Sequence, residues 1–173
     1  MKNGKTIQEL AVEIQRQQEA KRDFLIPVNR VSAFVHDKNV ELGFPIKDNN
    51  QELFTGGLTS NGHIQLGSFC DIPKKYYDLM MPHPELLANN INHWLSHSNS
   101  KRMIRTLDGK VRAVLSEKYR RLDNFDLAKN VLPMLNEANA TIESCEITDS
   151  KLYIKAITHK VQAEVKPGDV VSS

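Results

Sequence analysis

KRMIRTLDGKVRAVLSEKYRRL, residues 101–122, is the stretch that decides the fold of this chain. Its Asp108-Gly109 pair supplies the two positive-φ positions that a tight hairpin turn needs, and both flanks are rich in strand-forming residues. A two-residue turn places Leu107 opposite Lys110 and Arg105 opposite Arg112. The stretch therefore predicts a β-hairpin, with one face turned toward the core: Ile104, Thr106, Val111, Ala113 and Leu115.

The opposite face of this hairpin is predicted to be basic. It carries Lys101, Arg105, Lys110 and Arg112 beside Met103 and Val114. Like charges directly opposite each other destabilise a strand pair, so Arg105 facing Arg112 requires either a nearby carboxylate or an external anion.

Positive charge is concentrated in this part of a nearly neutral chain. The net charge is +2, but residues 101–121 hold eight Lys or Arg against only Asp108 and Glu117. We predict a surface that binds nucleic-acid backbone through one set of residues: Lys101, Arg102, Arg105, Lys110, Arg112, Lys118, Tyr119, Arg120 and Arg121. The alternatives are a solvated basic face without a ligand and internal neutralisation by carboxylates such as Glu143 and Glu146.

The following residues predict a helix and a second hairpin. Asp123 is suited to cap a helix that turns five residues inward and contains Pro133: Phe125, Ala128, Val131, Leu132 and Leu135. In the second hairpin Ile147 pairs with Leu152 and Cys145 with Ile154. The predicted fold class is α+β, with antiparallel β-hairpins packed against several α-helices and the order hairpin-helix-hairpin in the C-terminal half.

Residues 1–22 are expected to form an N-terminal helical arm before a single α+β domain over residues 23–173. Thr6 and Glu9 have the spacing of a capping box, and the helix is apolar only at its start. Self-association through this helix, giving a homo-oligomer, is the alternative role. Strands are expected from Phe24 on, with Pro27 marking an edge or a strand entry and a turn at 37–39. Residues 47–62 are predicted to be a flexible loop, with Gly56-Gly57 supplying flexibility.

Two or three helices are expected between the loop and the basic hairpin. Residues 63–70 fit either a strand or a helix, whereas Pro73 and Pro84 suit helix starts. The helix that begins at Pro84 is predicted to carry Trp94 on its buried apolar stripe. Tyr76 and Tyr77 could stack a base, but packing is the favoured role. His93 and His97 have a metal-compatible spacing without a third ligand, so complementing the helix dipole is favoured.

No sequence motif indicates catalysis. The chain lacks the spacings of a nucleophile elbow, a phosphate loop or a zinc-protease helix, so we expect no enzyme activity, no catalytic residues, no metal and no cofactor. Hydrophobic residues make up 40% and charged residues 25%, with no apolar run near the ~20 residues that span a bilayer. Because of the missing apolar run, no membrane partner is expected. Cys70 and Cys145 stand alone, which favours a reducing, cytoplasmic setting.

Several segments resemble a known family. FLIPVNRV, IQLGSFCDIPKKYYDLM, ELLANNINHWL and above all RTLDGKVRAVLSEKYRRLDNFDL are similar to the phage- and plasmid-borne proteins of domain of unknown function 932. The resemblance runs from about Phe24 to Val171. It implies that residues 63–70 are helical and that the protein comes from a mobile element. Because the family usually continues past a segment like Pro167-Gly168-Asp169, the resemblance also implies an N-terminal portion of a longer, truncated protein.

The expected function is that of a non-enzymatic phage or plasmid protein that binds nucleic-acid backbone in the cytoplasm of a bacterial host. Single-stranded or non-specific nucleic acid is the expected partner, and single-strand annealing is the analogy that the order of elements suggests. The alternative is an anti-CRISPR-like inhibitor that binds a host defence nuclease, using the same basic face against a nucleoprotein complex.

Overall fold

The computed structural model describes residues 4–46, 52–148, 150–158, 162–166 and 169–172, with side chains through residue 158. It is a mixed α+β structure whose strands pair in antiparallel sheets, as the sequence predicted. No helix in these ranges has both the length and the apolar character to cross a bilayer. Contacts divide the chain into two compact units, Ala20–Arg120 and a unit made of Met1–Glu19 with Arg121–Ser173. The division into an N-terminal arm over residues 1–22 and a single domain over residues 23–173 thus stays a prediction.

The described residues of the unit Ala20–Arg120 form two three-stranded sheets, three α-helices and one 3₁₀ turn. Its elements are β1 (Arg22–Pro27), a 3₁₀ turn (Val28–Arg30), β2 (Ser32–His36), β3 (Asn39–Pro45), β4 (Leu53–Gly57), α2 (Ser60–Phe69), α3 (Lys74–Met80), α4 (Pro84–Ser96), β5 (Lys101–Leu107) and β6 (Lys110–Ser116). Residues 63–70 are helical through Phe69, as the resemblance implied.

Turn chemistry fixes two hairpins of this unit, β2–β3 and β5–β6. Asp37 and Lys38 have φ of 47° and 63°, and Asp108 and Gly109 have φ of 51° and 72°. Two consecutive positive φ angles give a turn whose twist matches that of the flanking strands. The sheets have the orders β1-β5-β6 and β2-β3-β4. Pro27 ends the edge strand β1, where the missing N–H of proline is tolerated, so this prediction is confirmed.

Both sheets contribute to one hydrophobic core. Leu42 and Phe44 of β3, Leu87 and Ile91 of α4 and Ile104 of β5 all lie within it. Phe44 stacks on Phe54 with ring centroids 4.7 Å apart.

Side-chain amides of the helices complete the hydrogen bonding of the sheet edges. Along β6, Asn61 donates to the Arg112 carbonyl at 2.8 Å, and Gln65 accepts from the Val114 N–H at 2.8 Å. Along β2, the Asn92 amide accepts from the Ala33 N–H and donates to the Ala33 carbonyl, both at 2.7 Å. Backbone groups at a strand edge need such partners when water is kept away.

Replacing Asn92 with alanine is expected to lower the free energy of unfolding by about 1 to 2 kcal/mol, because Ala33 loses both partners. Asn90→Ala is the matched control, since within the described part of the chain the Asn90 amide bonds only to Leu86 of its own helix. Urea denaturation measures both. Equal losses would show that the bonds to Ala33 contribute nothing beyond helix propensity.

Part of the expected loop is regular structure, so that prediction was wrong for residues 53–57 and 60–62. Leu53–Gly57 is strand β4, and α2 begins at Ser60 after Thr59 caps it, accepting from the Gly62 N–H at 3.2 Å. Residues 47–51 lie outside the described part. Flexibility is also the wrong explanation for Gly56, because a Cβ there would overlap the Gly109 carbonyl oxygen.

The helix Pro84–Ser96 presents a different stripe to the core than expected. Leu87, Ala88, Ile91 and Leu95 are buried, whereas Trp94 is 48% exposed. Leu87, Ile91 and Leu95 lie on the apolar stripe in either case. Periodicity alone does not decide whether the neighbouring side chains on one side of that stripe or on the other are also buried. Here Asn92 bonds to β2, so the other flank faces outward. The prediction for Trp94 was therefore wrong.

The other unit contains α1 (Ile7–Ala20), α5 (Asn124–Glu137), β7 (Thr141–Ile147), β8 (Leu152–Ile157), β9 (Gln162–Lys166) and β10 (Asp169–Ser172). β7 pairs with β8 in the predicted register, and β9 pairs with β10. The order hairpin-helix-hairpin is thus confirmed. Both predicted helix starts have capping boxes, at Thr6 with Glu9 and at Asp123 with Asp126. Pro133 does not interrupt α5.

One cluster holds this second unit together. Leu10 and Ile14 of α1 pack with Ala128 of α5 and Cys145 of β7. Partly buried side chains, including Phe125 and Leu132, surround them.

Cys145 is buried like Cys70, and burial raises the pKa of both thiols, that of Cys70 to about 12. Neither thiol is activated as a nucleophile at neutral pH.

Candidate functional site

The basic hairpin forms, but its register differs from the expected one. Leu107 pairs with Lys110 and Thr106 with Val111, as predicted, but Arg105 pairs with Ala113 rather than Arg112. The register shifts between Arg105 and Thr106, so Arg112 is an extra residue on β6, which is a β-bulge.

The bulge exchanges residues between the two faces of β6. Val114, instead of Ala113, stands opposite Ile104 and joins it in the core with Val111. Since a one-residue shift moves every later side chain to the other face, the prediction that Arg105 opposes Arg112 was wrong, and so was the assignment of Leu115 to the core face. Ala113 is buried, as predicted, but it pairs with Arg105 and lies outside the cluster that contains Val114.

Arg105 is buried and its charge is neutralised by Asp23. It is only 6% exposed, and its Nε and Nη2 donate to the two carboxylate oxygens of Asp23 at 2.8 and 3.2 Å. Strand pairing holds the two residues together, because Asp23 of β1 stands opposite Arg105 of β5. The Tyr119 ring lies 5.9 Å from the guanidinium carbon. Of the two partners that the sequence allowed for Arg105, the structure contains the carboxylate.

Arg102 has a different environment from Arg105. Its guanidinium carbon lies 4.4 Å from the centre of the Phe69 ring, a cation–π contact. Its Nε is buried without a hydrogen-bond partner, and within the described residues no carboxylate forms an ion pair with it. This arginine is held in place by an aromatic ring and keeps its charge unmatched.

A polar cleft of about 440 Å³ surrounds Arg102. The other lining residues are Gln65, Ser68, Phe69, Asp71, Val114, Leu115 and Ser116. Asp71 reaches the cleft because α2 ends there. Its φ of 51° and the bonds Asp71 N–H to Ser68 O and Ile72 N–H to Gly67 O form a left-handed helix terminus. The cleft therefore offers a guanidinium, hydroxyl groups and one carboxylate.

Three exposed cations flank this cleft or follow it closely in the chain. Lys101 precedes Arg102, which pairs with Ser116 across the hairpin. Beyond Ser116 the chain turns tightly, because its carbonyl accepts from the Tyr119 N–H at 3.0 Å. This turn keeps Lys118 and Arg120 close to the same end of β6. We call Lys101, Arg102, Lys118 and Arg120 the basic end.

The other predicted contact residues lie elsewhere. Lys110 is exposed at the hairpin turn, about 20 Å along the strand from Lys101. Arg112 is half-buried at the bulge, and Arg121 falls in the other unit. Within the described ranges, none of the four basic-end cations, nor Lys110, forms an ion pair. The structure thus brings together part of the predicted set and separates Lys110 from it.

His93 of α4 and His97, which directly follows the helix, contact each other and the helix C-terminus. Their ring centroids are 4.5 Å apart, and Nδ1 of His97 lies 2.6 Å from the His93 carbonyl oxygen. At this distance the ring nitrogen is placed to bond a carbonyl of the last turn, and complementing the helix dipole, the favoured role, stays a prediction. Across the described ranges, no group of three or more His, Cys, Asp or Glu side chains is arranged to hold a metal ion.

The sequence does not show which residues contact Arg105 and Arg102. Asp23 is 82 positions from Arg105, and only the strand pairing brings them together. Phe69 lies within residues 63–70, a segment whose periodicity fits either a strand or a helix. A signal was available for Asp23, since it directly precedes a strand-forming run, but no local pattern shows which strand pairs with it.

Comparison of the chain with models of known protein families, with curated proteins and with solved structures gave no match.

Proposed function

We propose that the protein binds nucleic-acid backbone through the basic end. The observation that carries the proposal is Arg102, a guanidinium fixed on the Phe69 ring with no carboxylate partner among the described residues. Guanidinium groups bind phosphate oxygens in bidentate geometry, and fixing the side chain in advance lowers the entropy lost on binding.

Neighbouring charges support the same ligand. Lys101, Lys118 and Arg120 are exposed and free of ion pairs within the described residues, so each is available for a phosphate contact. Tyr119 is partly exposed between two of them and offers a ring on which a base can stack. Asp71 and Glu117 are the nearby carboxylates, and the basic end keeps a positive balance against them. Contacts of this type bind the backbone with little sequence readout.

Arg105 is not part of the proposed interface. Its guanidinium is buried, and Asp23 already holds it at 2.8 Å. Its role is to join β1 to β5 and thereby to support the strand that carries Lys101 and Arg102.

The test is binding of a fluorescent oligodeoxythymidine of about 20 nucleotides across a salt series from about 50 to 200 mM. The double variant Arg102→Gln with Lys118→Gln is expected to bind about tenfold more weakly or worse. Its slope of log affinity against log salt is expected to fall by about 1 to 1.5, because two phosphate contacts are lost.

Lys38→Gln with Lys110→Gln is the matched control. It removes the same charge from the two hairpin turns of the same unit, away from the basic end. Equal weakening by both double variants would show that overall charge alone attracts the nucleic acid. Absence of binding by the unaltered protein at low salt would refute the proposal outright.

A further inference from the structure

A second cavity lies between α2 and α3, on residues that the proposed function does not use. Its volume is about 480 Å³, within the range of about 300 to 1,000 Å³ that small-molecule pockets have. Ile64, Ile72 and Met81 form its apolar wall, and His63 and Tyr77 supply polar atoms. Ser60, Ser68, Lys74 and Asp78 complete the lining.

Close packing of the two helices fixes the inner wall. A Cβ at Gly67 would lie 2.8 Å from the Tyr77 ring, so only glycine at this position leaves room for that ring. Tyr77 is buried, and its hydroxyl oxygen lies 2.8 Å from Nδ1 of His63. The wall is therefore preformed and does not depend on a ligand to order it.

The hydrogen bond between Tyr77 and His63 determines whether the imidazole donates or accepts a hydrogen bond in the pocket. Burial raises the pKa of Tyr77 and lowers that of His63, so the phenol stays protonated and the imidazole neutral at pH 7. Assigning the Tyr77 hydroxyl as the donor to Nδ1 places the ring proton on Nε2, because a neutral imidazole carries one N–H. His63 is then an uncharged N–H donor.

The rim of the pocket is also electrically balanced. Lys74 is the single cation among the lining residues, and its Nζ lies 3.0 and 2.7 Å from the two carboxylate oxygens of Asp78. With a neutral imidazole and a paired lysine, the pocket has no unmatched charge to attract an ion. An apolar wall with one or two hydrogen-bonding groups fits a neutral ligand.

We propose that the pocket between α2 and α3 binds a small uncharged ligand with a ring-sized apolar body and one hydrogen-bond acceptor, which His63 contacts. The apolar body lies against Ile64, Ile72 and Met81. The site is distinct from the basic end, since Ser68 is the one residue that lines both cavities.

Benzamide and benzoate test this proposal, because they share a ring and a shape and differ in charge. Titration of the whole protein, followed by backbone amide shifts in nuclear magnetic resonance, is expected to give a Kd of about 1 mM for benzamide. The shifts are expected at residues 60–81. Benzoate is expected to bind at least about tenfold more weakly, because nothing in the pocket compensates the loss of water around its charge.

Two exposed apolar residues provide the variant and its control. Ile64 is 57% exposed and lines the pocket, whereas Leu79 is 70% exposed on α3 and does not. Ile64→Gln is expected to weaken benzamide binding several-fold, and Leu79→Gln to leave it unchanged. His63→Phe is expected to weaken it as well, because the ring remains and the donor is lost.

Three results would overturn the proposal: no amide shifts up to the solubility limit of benzamide, shifts confined to other residues, or equal affinities for benzamide and benzoate. The oligonucleotide measurement is independent of all three, because phosphate binding involves the basic end and not Ile64.

Discussion

Replacing Asp23 with alanine is expected to lower the free energy of unfolding by about 3 to 5 kcal/mol. The side chains of Asp23 and Arg105 are each only 7% exposed, so the substitution leaves a buried guanidinium without its carboxylate. Removing one member of a buried ion pair costs far more than the pair itself contributes, because the remaining charge is desolvated and uncompensated. Urea denaturation at neutral pH measures the loss.

Two controls distinguish this mechanism from a general effect of charge. Asp78→Ala breaks the exposed pair with Lys74 and is expected to cost no more than about 0.5 kcal/mol. The double variant Asp23→Leu with Arg105→Met replaces both buried charges by apolar groups, and it is expected to recover most of the stability. A double variant as unstable as Asp23→Ala would show that the loss does not come from the unpaired charge.

Replacing Gly56 with alanine is expected to destabilise the unit Ala20–Arg120 by about 3 kcal/mol, in the upper part of the range for adding a methyl group to a packed site. The added Cβ would overlap the Gly109 carbonyl oxygen and lie 2.9 Å from the Phe54 ring. Backbone cannot move aside as the end of a flexible side chain can. Strand β4 and the turn of the β5–β6 hairpin would therefore have to separate.

Gly57→Ala is the matched control, one position along the same strand. A Cβ there meets nothing within 4 Å, so the substitution is expected to be neutral or slightly stabilising, since alanine loses less backbone entropy than glycine. Thermal denaturation of the two variants side by side gives the comparison. Similar midpoints would mean that β4 does not need its close approach to Gly109.

Features that depend on neighbouring residues could be predicted from the sequence. The turn at Asp108-Gly109, the capping box at Thr6, the cap at Asp123 and the start of α4 at Pro84 each follow from residues a few positions apart. The second hairpin was also placed in its correct register. These are the features for which local chemistry decides the conformation.

Features that depend on distant contacts could not be predicted. The bulge at Arg112 shows no local signal, yet it decides which side chains of β6 enter the core. Trp94 faces outward because Asn92 bonds to β2, and Arg105 is buried because β1 lies beside β5. The candidate site therefore stays a prediction, and the arginine without a carboxylate partner among the described residues is Arg102, whereas Arg105 is paired with Asp23.

The amide contacts along β2 and β6 bear on how this protein behaves at high concentration. A strand edge with unpaired N–H and C=O groups is a template on which another chain can add a strand, which leads to aggregation. Here Asn61, Gln65 and Asn92 occupy some of those backbone groups with side chains that cannot extend a sheet. Loss of these amides would therefore leave strand edges open to pairing with another chain and would also lower the stability of the fold. Resistance to aggregation and folding stability thus depend on the same three side chains.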